Sequence, residues 1–171
     1  MSELKTHAIN RRHFLFGLLT FASGSAITTL ADFFGNRTIP SPTLTKPAAT
    51  EIAQPATPSP RAFMDRAMEM RSRAVESGDQ AFGAIIVKDN RIVGWGPSRV
   101  IVNRDPTAHA EVEAIRDACQ RLGTRDLSGC EMYGTSKACA MCETAAYWAN
   151  IARLYYGDSI TNAGAPRYAS C

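Results

Sequence analysis

One histidine and two cysteines constrain this chain more than any other feature. His109 stands in Asp105-Pro106-Thr107-Ala108-His109-Ala110-Glu111, and about thirty residues later comes Cys139-Ala140-Met141-Cys142. One imidazole and two thiolates fill three corners of a zinc tetrahedron and leave the fourth for water, which separates a catalytic zinc site from a closed structural one. The spacing also dictates local structure. His109 and Glu111, at i and i+2, share no helical face, so they belong in the first turn of a helix, where one ligates and the other reaches over the water. Cys139 and Cys142 are one helical turn apart. At a helix start both thiols face one point, and the free amides and dipole there favour thiolates. Glu111 is the acid placed to move protons between water and a substrate.

Each part of this constellation has a rival reading. A Cys-x-x-Cys alone also describes a thioredoxin-like redox pair, although that leaves His109 and Glu111 without a task. A closed structural zinc site needs a fourth ligand, and Cys119, Cys130 or Cys171 could supply it. Cys119 and Cys130 otherwise read as buried apolar thiols or as a disulfide. His109 is the sole histidine after residue 13, so any imidazole chemistry in the folded part falls to it.

A chain of 171 residues holds one domain with a real core. Residues 1–34 read as a signal. Arg11-Arg12 precede a moderately apolar run from Phe14 to about Ala31, the layout of a secretory leader. The arginine pair followed by Phe14-Leu15 is similar to a twin-arginine signal, which carries folded proteins to the periplasm. The alternative is an uncleaved anchor that keeps the domain outside the membrane. Residues 35–60 carry Pro40, Pro42, Pro47, Pro55, Pro58 and Pro60, too many for helix or strand, and read as an extended tether. Residues 61–171 are left for the domain. From Arg61 onward fourteen Lys/Arg face thirteen Asp/Glu, a balance that excludes a broad nucleic-acid footprint.

Within the domain, hydrophobic period predicts a helix over 61–77, a strand over 81–87 turned by Lys88-Asp89-Asn90 into a second over 91–95, and a helix from an N-cap at Thr107 to about Leu122. A third strand is expected over 130–135, a helix from Cys139 to about Asn150, and a fourth strand over 153–157. No element is expected after Asp158. This order gives a layered α/β domain with a mixed sheet, in which two helices cross between neighbouring strands.

The run from Asp105 through Glu111 and Val112, the Ala114-Ile115-Arg116-Asp117-Ala118-Cys119 segment, the Cys139–Cys142 pair and Tyr147-Trp148-Ala149 resemble the cytidine deaminase-like superfamily, in the branch of guanine deaminase and tRNA adenosine deaminases. The resemblance covers roughly residues 62–160. It implies a three-layer sandwich around the mixed sheet, with the usual last strand and helix reduced or absent. It also implies one zinc per chain on His109, Cys139 and Cys142, Glu111 as proton shuttle, a homodimer, and hydrolytic loss of ammonia from a small heterocycle. A guanine-like purine base is the first expectation. A nucleoside, a pterin-like ring or a non-catalytic zinc-bound domain are the alternatives, and no nucleic-acid partner is expected. Candidate substrate contacts are Ser98, Trp95, Ala110, Tyr156 and Asp158; Trp95 and Trp148 read equally as base-stacking or core residues. The chain departs from the family in having Lys137-Ala138 where Glu-Pro is usual, and Ser98 where an asparagine usually binds substrate. The carboxylate near the C-terminus has no secure match, with Asn162 nearest in spacing and Asp158 the nearest acid.

Overall fold

The computed structural model describes residues 51–168. The expected signal, most of the tether and Cys171 lie outside the described residues. Helix α1 (Pro60–Glu76) starts where Ser59 accepts a hydrogen bond from the Ala62 amide and Pro60 occupies a position that needs no donor. Phe63, Met64, Ala67, Met70 and Ala74 form its buried face. Strands β1 (Gly83–Lys88) and β2 (Arg91–Pro97) pair antiparallel through Asp89-Asn90. Both turn residues have positive φ, 48° and 58°, the backbone that a two-residue hairpin matched to strand twist requires. Helix α2 (Ala110–Leu122) ends on left-handed Gly123. Strand β3 (Glu131–Gly134), helix α3 (Ala140–Trp148) and strand β4 (Arg153–Tyr156) follow.

The sheet order is β2-β1-β3-β4-β5. β1 is antiparallel to both β2 and β3, while β3 and β4 are parallel and joined through α3. The sheet is therefore mixed, as expected, but only one helix links neighbouring strands. α2 carries the chain from β2 past β1 to β3. Alternation along β1 divides the interior. Ala84 and Ile86 join Ala114, Ala118, Met132 and Leu154 on the α2/α3 face, and Ile85 and Val87 join Phe63, Met70 and Tyr133 on the α1 face. This is the three-layer sandwich.

Three details differ from expectation. A fifth strand, β5 (Thr161–Gly164), pairs antiparallel with β4. Its first three residues are exposed, so it has no apolar alternation to announce it. The N-cap of α2 is His109, not Thr107; the Thr107 amide and hydroxyl bond the Asp105 carboxylate instead. The packed body also begins ahead of α1. Ile52 is buried on the α1 face, and the Gln54 amide exchanges two hydrogen bonds with the Ile92 backbone. The extended segment thus closes onto β2 at residues 52–54.

Two glycines set the position of α2. A Cβ at Gly96 would lie 2.1 Å from the Ala110 carbonyl oxygen and one at Gly94 would lie 2.7 Å from that of Ala114. Only bare backbone on β2 lets the first turns of α2 approach so closely. Among the described residues, no helix is long and apolar enough to cross a membrane.

Candidate metal centre and active site

α2 and α3 begin beside each other, and their first residues hold the donors. His109 and Cys139 are the two N-caps, and neither makes a side-chain capping bond, so both side chains are available to a ligand. His109 Nδ1 lies 3.8 Å from Cys139 Sγ and 3.5 Å from Cys142 Sγ, and the two sulfurs are 3.5 Å apart. A tetrahedral zinc with Zn–S about 2.3 Å and Zn–N about 2.0–2.1 Å sets its donors about 3.5–3.8 Å apart. The triangle fits that ion as it stands. Among the described residues this is the one group of metal-ligating side chains so disposed, and it contains three members. Cys119 and Cys130 are free thiols against the α2/α3 core, so neither closes the site.

Glu111 stands in the first turn of α2. Its side chain is buried, with Oε2 3.5 Å from Cys142 Sγ. Burial pushes its carboxyl pKa up, while a bond from its own amide, the Cys142 thiol and His109 work the other way. Burial raises Cys142 also, reinforced by the Glu111 and Cys139 charges. Without a metal, burial favours the protonated forms of both groups; a divalent ion on the donors would invert that balance. Gly134 ends β3 beneath this carboxylate, where a Cβ would come within 3.8 Å of Glu111 Oε1.

A cavity of about 130 Å³ opens at Glu111. It is lined by the apolar Met132 and Leu154, by Tyr156 and Ala163 from the β4 and β5 strands, and by Ser136 and Lys137 from the link into α3. Of the substrate contacts expected from sequence, Tyr156 lies on this cavity and the others do not. Ser98 is fully buried, and its hydroxyl donates to Asp79 Oδ1 at 2.7 Å, so it faces the protein. Trp95 packs toward the α1 face, with the Arg73 guanidinium 4.8 Å and that of Arg121 5.6 Å from the ring centre. The Ala110 side chain is core. Asp158 is exposed on a separate groove beside Phe82, where its carbonyl accepts from Arg61 at 2.9 Å. Trp148 is neither core nor cavity; it is 66% exposed and meets Tyr147 and Tyr168 edge to face.

Asp79 has a role that no local sequence pattern announces. Its carboxylate accepts from the Ser98 hydroxyl and from the Gln80, Ile101 and Val102 amides, each at 2.7–2.9 Å. Burial opposes its charge, but these donors outweigh burial and hold the pKa below the usual carboxylate range. It thereby ties down the loop that runs from β2 toward Asp105 and His109. Its principal partners lie 19–23 residues downstream, beyond any local pattern.

Fold and centre together define an α/β domain built around a three-donor metal site with a buried acid beside it. Residues 58–158 match the cytidine and deoxycytidylate deaminase zinc-binding region, and the chain belongs to that family. It is 42% identical over 102 residues to a guanine deaminase of Bacillus subtilis, covering 59% of this chain and 65% of that one. It is 42% identical over 94 residues to a tRNA-specific adenosine deaminase of Aquifex aeolicus, covering 55% and 62%. The solved structure of a guanine deaminase from Nitrosomonas europaea is 26% identical, with 63% of this chain and 62% of that one covered, at a TM-score of 0.57. The chain thus spans just under two thirds of the length of these relatives.

Proposed function

We propose that this chain is a zinc-dependent hydrolase that replaces the amino group of a nucleobase-like ring by oxygen and releases ammonia, with a guanine-like purine as the foremost substrate. The observation that carries this reading is the position of Glu111, whose carboxylate touches the His109/Cys139/Cys142 group and also lines the cavity. His109, Cys139 and Cys142 would hold zinc, which when bound would lower the pKa of a water toward neutrality. Glu111 takes a proton from the attacking water and passes it to the ring nitrogen next to the attacked carbon. A second transfer through the same carboxyl protonates the departing amine, so that ammonia leaves and a carbonyl remains. Met132 and Leu154 give the cavity apolar surface on which a planar ring can pack.

The similar guanine deaminase supports a purine base, and the near-even charge of residues 61–171 favours a small molecule over tRNA. Ammonia release from the zinc-loaded protein should be measured with guanine, adenine, cytosine, their nucleosides, pterin and tRNA. Turnover of guanine above the others is expected, and turnover of tRNA alone would overturn the substrate assignment. Export through the Arg11-Arg12 leader belongs to the same proposal. A reporter fused after residue 34 should reach the periplasm and should stay inside when both arginines are replaced by lysine.

A further inference from the structure

The cavity beside Glu111 has four charged side chains on its walls: Glu111, Lys137, Glu143 and Arg167. Three of them are accounted for. Glu111 is turned to Cys142 and to its own amide. Glu143 and Arg167 answer each other, with the Arg167 amide 3.2 Å and its Nε 3.7 Å from Glu143 Oε1. Lys137 remains. Among the described residues it makes no ion pair and no side-chain hydrogen bond, and it is exposed. The cavity is open to solvent, and its volume of about 130 Å³ is close to that of a cavity that holds one aromatic ring, so a bicyclic heterocycle fills it and reaches beyond it. A substituent on that heterocycle therefore extends toward solvent, on a cavity whose lining includes the exposed Lys137. Ser136, Lys137 and Ala138 also belong to the link from β3 into Cys139, so the backbone of Lys137 is held two residues from a metal donor.

We propose that Lys137 makes this site selective for amino-heterocycles that bear an anionic substituent, a phosphate or a carboxylate, with the ring in the cavity and the negative group at the mouth. The assignment rests on the deaminase reading for the ring and adds the charge of its substituent. A single cation at a wet rim gives a modest discrimination, about fivefold to tenfold in affinity, and it weakens as salt is added.

The test uses two matched pairs that differ in charge, guanosine against guanosine 5′-monophosphate and pterin against pterin-6-carboxylate. Binding to the full-length, zinc-loaded protein is measured by calorimetry, with ammonia release followed in parallel, for the wild type, Lys137→Gln and Lys137→Arg. The expected result is tighter binding of the anionic member in at least one pair, about fivefold or more. Lys137→Gln should bring it to the level of its neutral counterpart in the same variant, Lys137→Arg should restore it, and zinc content should be equal in all three. A preference in the nucleotide pair alone identifies phosphate as the group read, and one in the pterin pair alone identifies carboxylate. Equal binding within both pairs, a preference that survives Lys137→Gln, or no binding of any of the four at millimolar concentration would overturn the proposal. Charge-selective binding without ammonia from any ring would sink the deaminase reading and leave the role of Lys137 standing. Ammonia from neutral rings without charge selection would do the reverse.

Discussion

Glu111 and the three donors divide the work so cleanly that single substitutions separate binding of the metal from chemistry. Glu111→Gln keeps the size and one hydrogen-bonding oxygen but cannot shuttle a proton. It should retain zinc near one per chain and lose about 10²- to 10⁴-fold in turnover, read by metal analysis and ammonia release on one preparation. Cys142→Ala removes a buried donor from a site of three, so zinc content and turnover should fall together, checked by the same two assays. These residues were legible in the sequence because each motif is local: two short patterns, each opening a helix, fix four side chains. Ser98 was not legible in the same way. Its place in the chain suggested a substrate contact, but Asp79, 19 residues away, takes its hydroxyl, and nothing near either residue signals that pairing.

At the scale of elements, the start of α2 depends on bare backbone in β2. In Gly96→Ala the new methyl would lie 2.1 Å from the Ala110 carbonyl and 2.4 Å from the Ala114 amide. Both are main-chain atoms that cannot swing away, so the helix must lift. The expected cost is about 3 kcal/mol or more, measured by urea denaturation, together with weaker zinc retention because His109 caps that helix. The helices and the first four strands could be read from period and from breakers such as Gly78, Gly123 and Asp89-Asn90. β5 could not, since three of its four residues face solvent and its pairing with β4 slips between Leu154 and Tyr155. The α2 crossover departs from the sequence expectation for a different reason. Sequence order says which strand follows a helix, but only the sheet shows that β1 lies between β2 and β3.

Across the described residues, the site is a junction between segments: Asp79 ties down the loop ahead of His109, and a metal on His109, Cys139 and Cys142 would join α2 to α3. Zinc bound to the folded state alone stabilises it by mass action, so a chelator should lower the melting temperature of the wild type and leave Cys142→Ala nearly unchanged. Asp79 adds an acid dependence. Its pKa is lower in the folded chain than in the unfolded one, so its contribution is complete above the ordinary carboxylate range. It is lost as the pH falls through the folded value, below about pH 4. Replacement by alanine should cost about 1–3 kcal/mol at neutral pH by leaving loop amides unpaired, and denaturation of this variant across pH 2–7 should show a flatter acid limb than the wild type.

The most direct test is zinc content and ammonia release determined together for the wild type and Glu111→Gln. One zinc per chain in both proteins, with ammonia from the wild type alone, is the predicted result. Equal release from both, or loss of zinc from Glu111→Gln, would contradict the assignment of Glu111 as the proton carrier beside a three-donor metal centre.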